Sequence, residues 1–271
     1  MAILNLTPDS FYAASRSEPG DLAAVAARAQ AAVAAGADVL DLGAESTRPG
    51  STPLDPAEEL RRLLPALAAV RRALPDTLIS ADTRHALVAR AALEAGADLI
   101  NDVTAGADPA MLPLLSASSC GLVLMHARGE FRSMPKLPPL PDPLEEVERG
   151  LAAILDRAAQ AGIAPERILL DPGFGFGKNM DENFPLLAGL DRLHALGCPL
   201  LAGLSRKSFL RSAPGQDPGE RLPASLAALT AAVLAGAHML RVHDPGATVQ
   251  ALRVCDKLLA SCQPACGDVV K

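Results

Sequence analysis

The stretch Leu78-Ile-Ser-Ala-Asp-Thr-Arg-His-Ala-Leu-Val-Ala-Arg-Ala-Ala-Leu-Glu-Ala-Gly-Ala-Asp-Leu-Ile-Asn-Asp102 contains one complete unit of the fold. A short apolar run ends at Asp82, an alanine-rich helical stretch follows, Gly96 comes next, and a second apolar run ends at Asn101. Glycine is common just past a helix C-terminus, so this order predicts strand, helix and parallel strand.

The same unit recurs along all 271 residues. Glycines at 36, 96 and 236 each stand in an Ala-Gly-Ala step before an apolar run. Eight such runs end in polar residues, which predicts an α/β fold of the (β/α)8 TIM barrel type in a single domain. The polar endings would meet on the face where barrel active sites lie. These endings are Asn5, Asp41, Asp82, Asn101 with Asp102, His126, Asp171, residues 205–207 and residues 241–243.

We expect the barrel to span residues 1–262 and residues 263–271 to form a C-terminal tail. Hydrophobic residues make up 49% of the chain but aromatics only 3%, so Ala, Leu and Val must fill the core. Helix starts are predicted at Asp21 and at the Asp-Pro pairs that begin at residues 55, 142, 217 and 244. Pro65 lies inside the second helix and should kink or split it.

Composition excludes several classes of protein. The formal net charge of −6 argues against a nucleic-acid binder, and no apolar run reaches the roughly 18 residues of a membrane span. The N-terminus opens into the first strand without the basic flank of a signal peptide. Five scattered cysteines suggest reduced thiols, and Cys262 with Cys266 has no histidine alongside to make a metal site. We therefore expect a cytoplasmic protein that binds no nucleic acid and spans no membrane.

Polar groups end strands three, four and six at Asp82, Asn101 and Asp171. Strand-end carboxylates point into the barrel mouth, where burial is costly unless a donor pairs with them. A ligand with a guanidine-like N–H edge would supply paired donors. Each residue could instead cap a helix or brace a loop.

Residues 171–178 (Asp-Pro-Gly-Phe-Gly-Phe-Gly-Lys) form the sharpest local motif. Three glycines allow close backbone approach or left-handed angles. Phe176 could stack on an aromatic substrate, whereas we interpret Phe174 as a packing side chain. The glycine spacing does not match a phosphate-binding loop, so nucleotide binding is not expected.

Strand seven ends in Gly203-Leu-Ser-Arg-Lys-Ser208. Lys207 can donate to a ring atom, neutralise an anion or form a Schiff base. A solvated surface position suits Arg206 better than Lys207.

A second group of polar residues follows strands one, two and eight, which become neighbours when a barrel closes. Two arginines with a hydroxyl, an amide and an imidazole suit a polyphosphate. An alternative role for Arg241 is to lie on a ring face, and an alternative role for His243 is that of a hydrogen-bonded scaffold residue. Asn5 could coordinate Mg2+ beside substrate phosphates. The group comprises Asn5, Thr47, Arg48, Arg241 and His243.

Four long connections follow strand ends and belong to the same face. They are residues 7–20, 43–54, 127–143 and 206–219. Long loops in a compact domain are usually functional or disordered, and their common placement favours function. The proline-rich part at 134–143 could equally be a surface wrap without a chemical role.

These motifs, in this order, resemble the dihydropteroate synthase family. The first, second and sixth of the matching stretches are highly specific, and together they cover nearly the whole chain. They are residues 3–11 (Ile-Leu-Asn-Leu-Thr-Pro-Asp-Ser-Phe), 41–50 (Asp-Leu-Gly-Ala-Glu-Ser-Thr-Arg-Pro-Gly), 79–83, 100–102, 125–126, 171–178, 203–208 and 241–244.

The resemblance implies an activity, a cofactor and site residues. The family condenses a dihydropterin diphosphate with p-aminobenzoate and releases pyrophosphate, with Mg2+ near Asn5, and is usually a homodimer. Lys207, Arg241, Asp82 and Asp171 would be the catalytic residues. The pterin would be held by Asp82, Asn101, Asp171 and Lys207, with Met125 below and Arg241 above. Pyrophosphate would be held by Asn5, Thr47, Arg48, Arg241 and His243, and p-aminobenzoate by Phe11, Pro49, Phe176 and Ser205, with Gly203 also at the substrate site.

The sequence departs from the family pattern in three places. Residues 12–20 replace the usual Ser-Asp-Gly-Gly-like continuation, so we expect the first loop to close differently. Relatives usually carry a segment before the first strand that plugs the barrel bottom, and Ala127-Arg128 replaces a more usual Met-Gln or Met-Lys pair.

Three other functions remain open from the sequence. A methyltetrahydrofolate methyltransferase-like barrel would share the carboxylates but not need the pyrophosphate ligands. A Schiff-base aldolase would use Lys207 on a carbonyl substrate. A non-catalytic pterin-binding module would bind tightly without turnover.

Overall fold

The computed structural model describes residues 1–6, 21–45, 53–129, 134, 137–211, 213 and 216–262. Within these ranges strands and helices alternate from end to end. The strands are β1 Ala2–Asn5, β2 Val39–Gly43, β3 Leu78–Asp82, β4 Leu99–Asp102, β5 Gly121–Met125, β6 Ile168–Asp171, β7 Leu201–Ala202 and β8 Met239–Leu240. The helices are α1 Leu22–Ala34, α2 Pro56–Ala73, α3 Ala86–Glu94, α4 Met111–Ser116, α5 Pro143–Gln160, α6 Asn183–Ala188, α7 Leu222–Leu234 and α8 Pro245–Cys262.

The strands close into a barrel. β1 to β6 pair in sequence order, all parallel, and β7 pairs with β8. A bridge from Leu170 to Leu200 joins the two groups, and one from Ala2 to Val242 closes the ring. The predicted single-domain α/β TIM barrel is confirmed, and every strand end is brought to one rim. No helix in the described ranges is long and apolar enough to cross a membrane.

Small aliphatic side chains fill the interior, as the composition predicts. Leu40, Leu42, Ile79, Ile100 and Leu122 come from successive strands and are at most 1% exposed. Helix residues such as Leu63, Leu67 and Leu151 pack against them from outside. Phe174 is also buried, so the interpretation of this residue as a packing side chain is confirmed.

The predicted helix starts are largely confirmed. The carboxylates of Asp21, Asp55 and Asp142 accept hydrogen bonds from backbone N–H groups of the first turns of α1, α2 and α5. Asp217 caps the short 3-10 helix Pro218–Arg221, and α7 begins only after it. The glycines at 36, 96 and 236 have φ near +90°, the conformation that ends a helix before the next strand.

The expectation that Pro65 splits the second helix is wrong. α2 runs without interruption over 18 residues with Pro65 inside it. The missing N–H costs one helical hydrogen bond. Leu63, Ala66, Leu67 and Val70 are buried on the face that packs against the barrel, and this burial outweighs the local loss.

Candidate active site

A cleft opens at the rim where the strands end. It encloses about 460 Å³ of free space, including its open mouth. Residues from strand ends and the loops after them line it, although more than 100 residues of sequence separate several of them. Nine of the predicted site residues meet there: Asn101, Met125, Asp171, Phe176, Gly203, Ser205, Lys207, Arg241 and His243.

Arg241 joins two buried carboxylates at the edge of this cleft. Its Nε donates to Oδ2 of Asp41 at 2.6 Å, and its Nη2 donates to Oδ2 of Asp82 at 2.7 Å. Asp41 and Asp82 are 0% and 7% exposed. Removing two carboxylates from water is costly, and one guanidinium with a fixed fork of donors offsets the cost for both.

The charges in this group shift one another's pKa values. Burial raises the pKa of Asp82, and the nearby Arg241 guanidinium opposes that rise. Burial lowers the pKa of Arg241, but the carboxylates of Asp41 and Asp82 more than reverse this, so its pKa lies above the usual value. Arg241 therefore stays charged at any working pH.

Asp41 is a site residue that the sequence reasoning missed. It appears among the eight strand endings, yet it was given no role. In the structure it accepts hydrogen bonds from both Arg241 and the side-chain amide of Asn101, the latter at 3.2 Å. Its Oδ1 and Oδ1 of Asp82 are buried and accept no hydrogen bond from the described residues. The available signal was an aspartate inside an otherwise apolar strand, a residue type that is almost never buried unless paired.

Asp171 lies at the end of β6 and shapes the glycine-rich loop after it. Its Oδ1 accepts a hydrogen bond from the backbone N–H of Gly173 at 2.7 Å. Burial raises its pKa, while the Gly173 N–H and the positive charge of Lys207 pull it back. A Cβ on Gly203 would lie 3.7 Å from the carboxylate, so the β7 backbone passes close to it.

Lys207 and Phe176 form one wall of the cleft. The ammonium Nζ of Lys207 lies 4.1 Å from the centroid of the Phe176 ring. This cation–π contact holds an apolar ring and a positive charge side by side. Such a wall suits a ligand with an aromatic ring and an anionic group.

Ser205 and His243 are hydrogen-bonded to each other across the ends of β7 and β8. The Ser205 hydroxyl lies 3.0 Å from Nδ1 of His243, and it also accepts from the His243 backbone N–H at 3.2 Å. The sequence assigned these two residues to different substrates. The structure places the two predicted subsites in direct contact.

Lys178 stabilises the glycine-rich loop, and no role was predicted for it from the sequence. Its buried ammonium donates to the carbonyl of Gly173 at 2.8 Å and lies 3.0 Å from Nδ1 of His126. Burial lowers the pKa of Lys178 to about 7, and burial together with Lys178 lowers that of His126 to about 3. The only signal in the sequence was a lysine ending a three-glycine motif.

The remaining predicted residues are Arg206 and four residues outside the described ranges. Arg206 is not solvated: it is 7% exposed, and its guanidinium donates to both oxygens of Asp244 at 2.8 and 2.6 Å. Four predicted site residues lie outside the described residues and stay predictions: Phe11, Thr47, Arg48 and Pro49.

Asn5 lies half-buried at the end of β1, beside Gly43 of β2. Its amide offers one neutral oxygen at the rim. Mg2+ commonly takes few protein ligands and keeps waters and substrate phosphates for the rest. The residue present therefore fits a weakly held magnesium ion that depends on a bound phosphate.

Comparison with known proteins identifies the family of this chain. The family model described as "Pterin binding enzyme" matches residues 1–243. The chain belongs to the pterin binding enzyme family. Within that family it is 40% identical to the dihydropteroate synthase of Escherichia coli K12 over 96% of this chain and 92% of that protein. It is also 41% identical to "inactive dihydropteroate synthase 2" of Mycobacterium tuberculosis, over 94% of this chain and 80% of that protein.

Solved structures of family members share the fold. The dihydropteroate synthase of Yersinia pestis, in a complex with a sulfonamide drug, matches with a TM-score of 0.90 and 37% identity, covering 96% of this chain and 93% of that one. The enzyme of Xanthomonas albilineans with 4-aminobenzoic acid matches at 0.86 and 42%, covering 96% and 92%. That of Burkholderia cenocepacia with 7,8-dihydropteroate matches at 0.84 and 40%, covering 96% and 91%.

Proposed function

We propose that this pterin binding enzyme is a dihydropteroate synthase. It joins 6-hydroxymethyl-7,8-dihydropterin diphosphate to p-aminobenzoate and releases pyrophosphate. The observation that carries the proposal is the meeting of Asn101, Asp171, Lys207 and Arg241 in one rim cleft of a chain with such relatives. In the reaction the bond from the pterin methylene carbon to the diphosphate oxygen breaks. A bond from the same carbon to the arylamine nitrogen forms, and that nitrogen loses a proton.

The pterin site would use the buried polar groups of β4 and β6. A pterin has a guanidine-like edge, and Asp171 can accept two N–H bonds from it. Asn101 can both donate and accept at the ring. Met125, which is 2% exposed, supplies an apolar floor, and the Arg241 guanidinium supplies a planar face above.

The main catalytic contribution would be electrostatic stabilisation of the leaving group. Negative charge builds on the departing pyrophosphate, and a preorganised cation stabilises it best in a site that excludes water. Arg241 is held by Asp41 and Asp82 and is therefore preorganised at this point of the cleft. His243 lies on the same side, and we assign Thr47 and Arg48 to the same role from the sequence.

The p-aminobenzoate site would lie between Phe176, Lys207 and Ser205. The ring of the substrate can pack on Phe176, and the hydroxyl of Ser205 can bind the carboxylate. An arylamine is already a free nucleophile at neutral pH, so the step needs no strong base. Phe11 and Pro49 complete this pocket in the sequence-based assignment.

Magnesium would assist the departure of pyrophosphate, as a counter-charge to the diphosphate. Asn5 would hold it through the amide oxygen, with the substrate phosphates as the other ligands. The protein's own groups orient the diphosphate on the side of β1, β2 and β8.

A non-catalytic pterin binder is the second candidate, because one relative of 41% identity is described as inactive. The two functions differ in turnover rather than in pterin binding.

The test is to give purified protein dihydropterin diphosphate and Mg2+, with and without p-aminobenzoate. Pyrophosphate release that requires p-aminobenzoate, with dihydropteroate formed in step, supports the enzyme. Calorimetric binding of the pterin diphosphate without release supports the binding module, and no binding overturns both.

We further propose a cytoplasmic homodimer that forms through α7 and α8. Leu234, Val254, Leu258 and Leu259 are 42–59% exposed on these two neighbouring helices. Val254 and Leu258 are four residues apart, so they share one helix face. Exposed apolar side chains grouped on one surface commonly mark a protein–protein contact.

A further inference from the structure

Glu45, Glu59 and His85 form a cluster beyond the ends of β2 and β3. Glu45 follows β2, Glu59 lies in the first turn of α2, and His85 is the residue before α3. One ligand atom from each residue lies within 4.8 Å of the other two. None of the three lines the candidate active site.

The burial of Glu59 is the independent observation that points to a ligand. Its side chain is 0% exposed, and neither carboxylate oxygen makes a hydrogen bond of normal geometry, although the Thr83 hydroxyl lies nearby. Nε2 of His85 is also buried without a hydrogen-bond partner. A carboxyl group and an imidazole nitrogen, both desolvated and facing each other, would be stabilised by a shared cation.

The distances suit a metal ion. Nε2 of His85 lies 3.9 Å from Oε2 of Glu59 and 4.0 Å from Oε2 of Glu45. Ligand atoms that share one zinc ion at about 2.1 Å are roughly 3.4 Å apart in tetrahedral geometry. Each side chain would need to move by less than about 1 Å to reach this arrangement.

We propose that Glu45, Glu59 and His85 bind a divalent transition-metal ion, and that Zn2+ is the best-fitting one. Imidazole with carboxylates suits zinc, whereas magnesium prefers oxygen ligands alone. Three protein ligands leave one position of a tetrahedral ion for water.

The surrounding charges are consistent with this ligand. Arg84 donates to Oε2 and Oε1 of Glu45 at 2.8 and 2.9 Å, which fixes that carboxylate and leaves a lone pair on Oε2, the oxygen that faces His85. The Arg84 guanidinium offsets the charge of Glu45. Burial raises the pKa of Glu59 to about 7, and a dication would replace the proton of that carboxyl group. Glu45 also accepts from the backbone N–H of Leu54 at 2.8 Å. A bound ion would therefore hold Glu45 and, through this hydrogen bond, the backbone of Leu54.

The test is zinc binding by the full chain after removal of metal with a chelator. Calorimetric titration should show one equivalent of Zn2+ bound, and an excess of Mg2+ should not displace it. Co2+ at the same site should give visible bands of nitrogen and oxygen ligation without a thiolate charge-transfer band. Zinc should raise the melting temperature, because it binds only the folded state.

Two variants and one control make the result specific. His85→Lys places a permanent ammonium between the carboxylates, so it should keep or raise thermal stability while weakening zinc binding by at least about tenfold. Glu59→Gln should weaken binding similarly. His194→Gln removes a histidine outside the cluster and should bind zinc like the wild type. Absence of stoichiometric binding, a thiolate band, or equal affinity in His85→Lys and the wild type would overturn the proposal.

Discussion

Arg241, at the end of β8, reaches across the barrel rim to Asp82 of β3, with 2.7 Å between Nη2 and Oδ2. The residue directly follows β8, and its Nε simultaneously contacts Asp41 of β2. The three residues tie together three strands of the closed barrel at the place where the cleft opens. The same guanidinium that would stabilise a leaving diphosphate is thus also a structural cation.

Loss of Arg241 should therefore reduce both stability and activity. Arg241→Ala leaves two buried carboxylates without their partner, which typically costs about 3–5 kcal/mol. Urea denaturation of the variant should show this loss in the free energy of unfolding. Arg61→Ala is the matched control, because the Arg61 side chain is 77% exposed and its removal should cost less than about 1 kcal/mol. A stable but inactive Arg241→Ala protein would contradict the structural half of this prediction.

Substitutions of Asp171 and Arg48 should weaken the binding of different halves of the substrate. Asp171→Asn keeps an oxygen for the Gly173 N–H but removes the charge that pairs with the pterin edge. Pterin affinity should fall by about 10- to 100-fold, the range expected for a lost charged hydrogen bond. Arg48 lies outside the described residues, so its role rests on the sequence, and Arg48→Ala should weaken pyrophosphate binding instead. Calorimetry with pterin and with pyrophosphate checks both, and equal losses of both ligands in both variants would argue against two subsites.

Gly173 should be the least replaceable glycine of the loop after β6. It has φ of +67°, and a Cβ there would lie 1.9 Å from the carbonyl oxygen of His126. Gly197 has φ of +76° but meets nothing within 4 Å, so it measures backbone strain alone. Gly197→Ala should cost about 1–2 kcal/mol of unfolding free energy, and Gly173→Ala at least about 2 kcal/mol more. Chemical denaturation of the two variants side by side checks this, and equal losses would mean that the loop shifts to make room.

His126 should make stability depend on pH on the acid side. Its native pKa of about 3 lies below the value of about 6.5 expected in the unfolded chain. As pH falls below about 6.5, only the unfolded state takes up the proton, so folding loses up to about 1.4 kcal/mol per pH unit. His126→Gln removes this group. Between about pH 7 and about pH 5, the free energy of unfolding in urea should therefore fall more for the wild type than for the variant. A constant difference would show that His126 does not stay neutral in the folded protein.

Most of the barrel was predictable because its signals are local. Each strand ends at or near a polar residue such as Asp82 or Asp171, and the left-handed glycines at 36, 96 and 236 each mark the end of a helix. Pro65 could not be judged in the same way. A proline lowers local helix propensity, but the outcome depends on how much of the helix face is buried, which only the assembled barrel determines.

The positions of residues proposed to contact the ligand were predictable, whereas contacts between one side chain and another were not. Asn101, Lys207 and His243 lie where their strand positions place them. Asp41, Lys178 and the pairing of Arg206 with Asp244 depend on contacts between distant strands and loops. A single sequence does not report which buried charge finds which partner, so Arg206 looked exposed although it is buried.

Val254 provides the sharpest test of the proposed dimer. Its side chain is 59% exposed on α8, and a glutamate there would place a desolvated charge in a contact made through this face. Val254→Glu should therefore convert a dimer to a monomer in multi-angle light scattering. Leu87→Glu is the matched control, because Leu87 is 58% exposed on α3, away from α7 and α8, and the variant should stay dimeric. Because neither site is buried in the monomer, both variants should keep the wild-type melting behaviour apart from the loss of dimer stabilisation. If Leu87→Glu alone became monomeric, the contact would lie on the opposite side of the barrel from the one proposed.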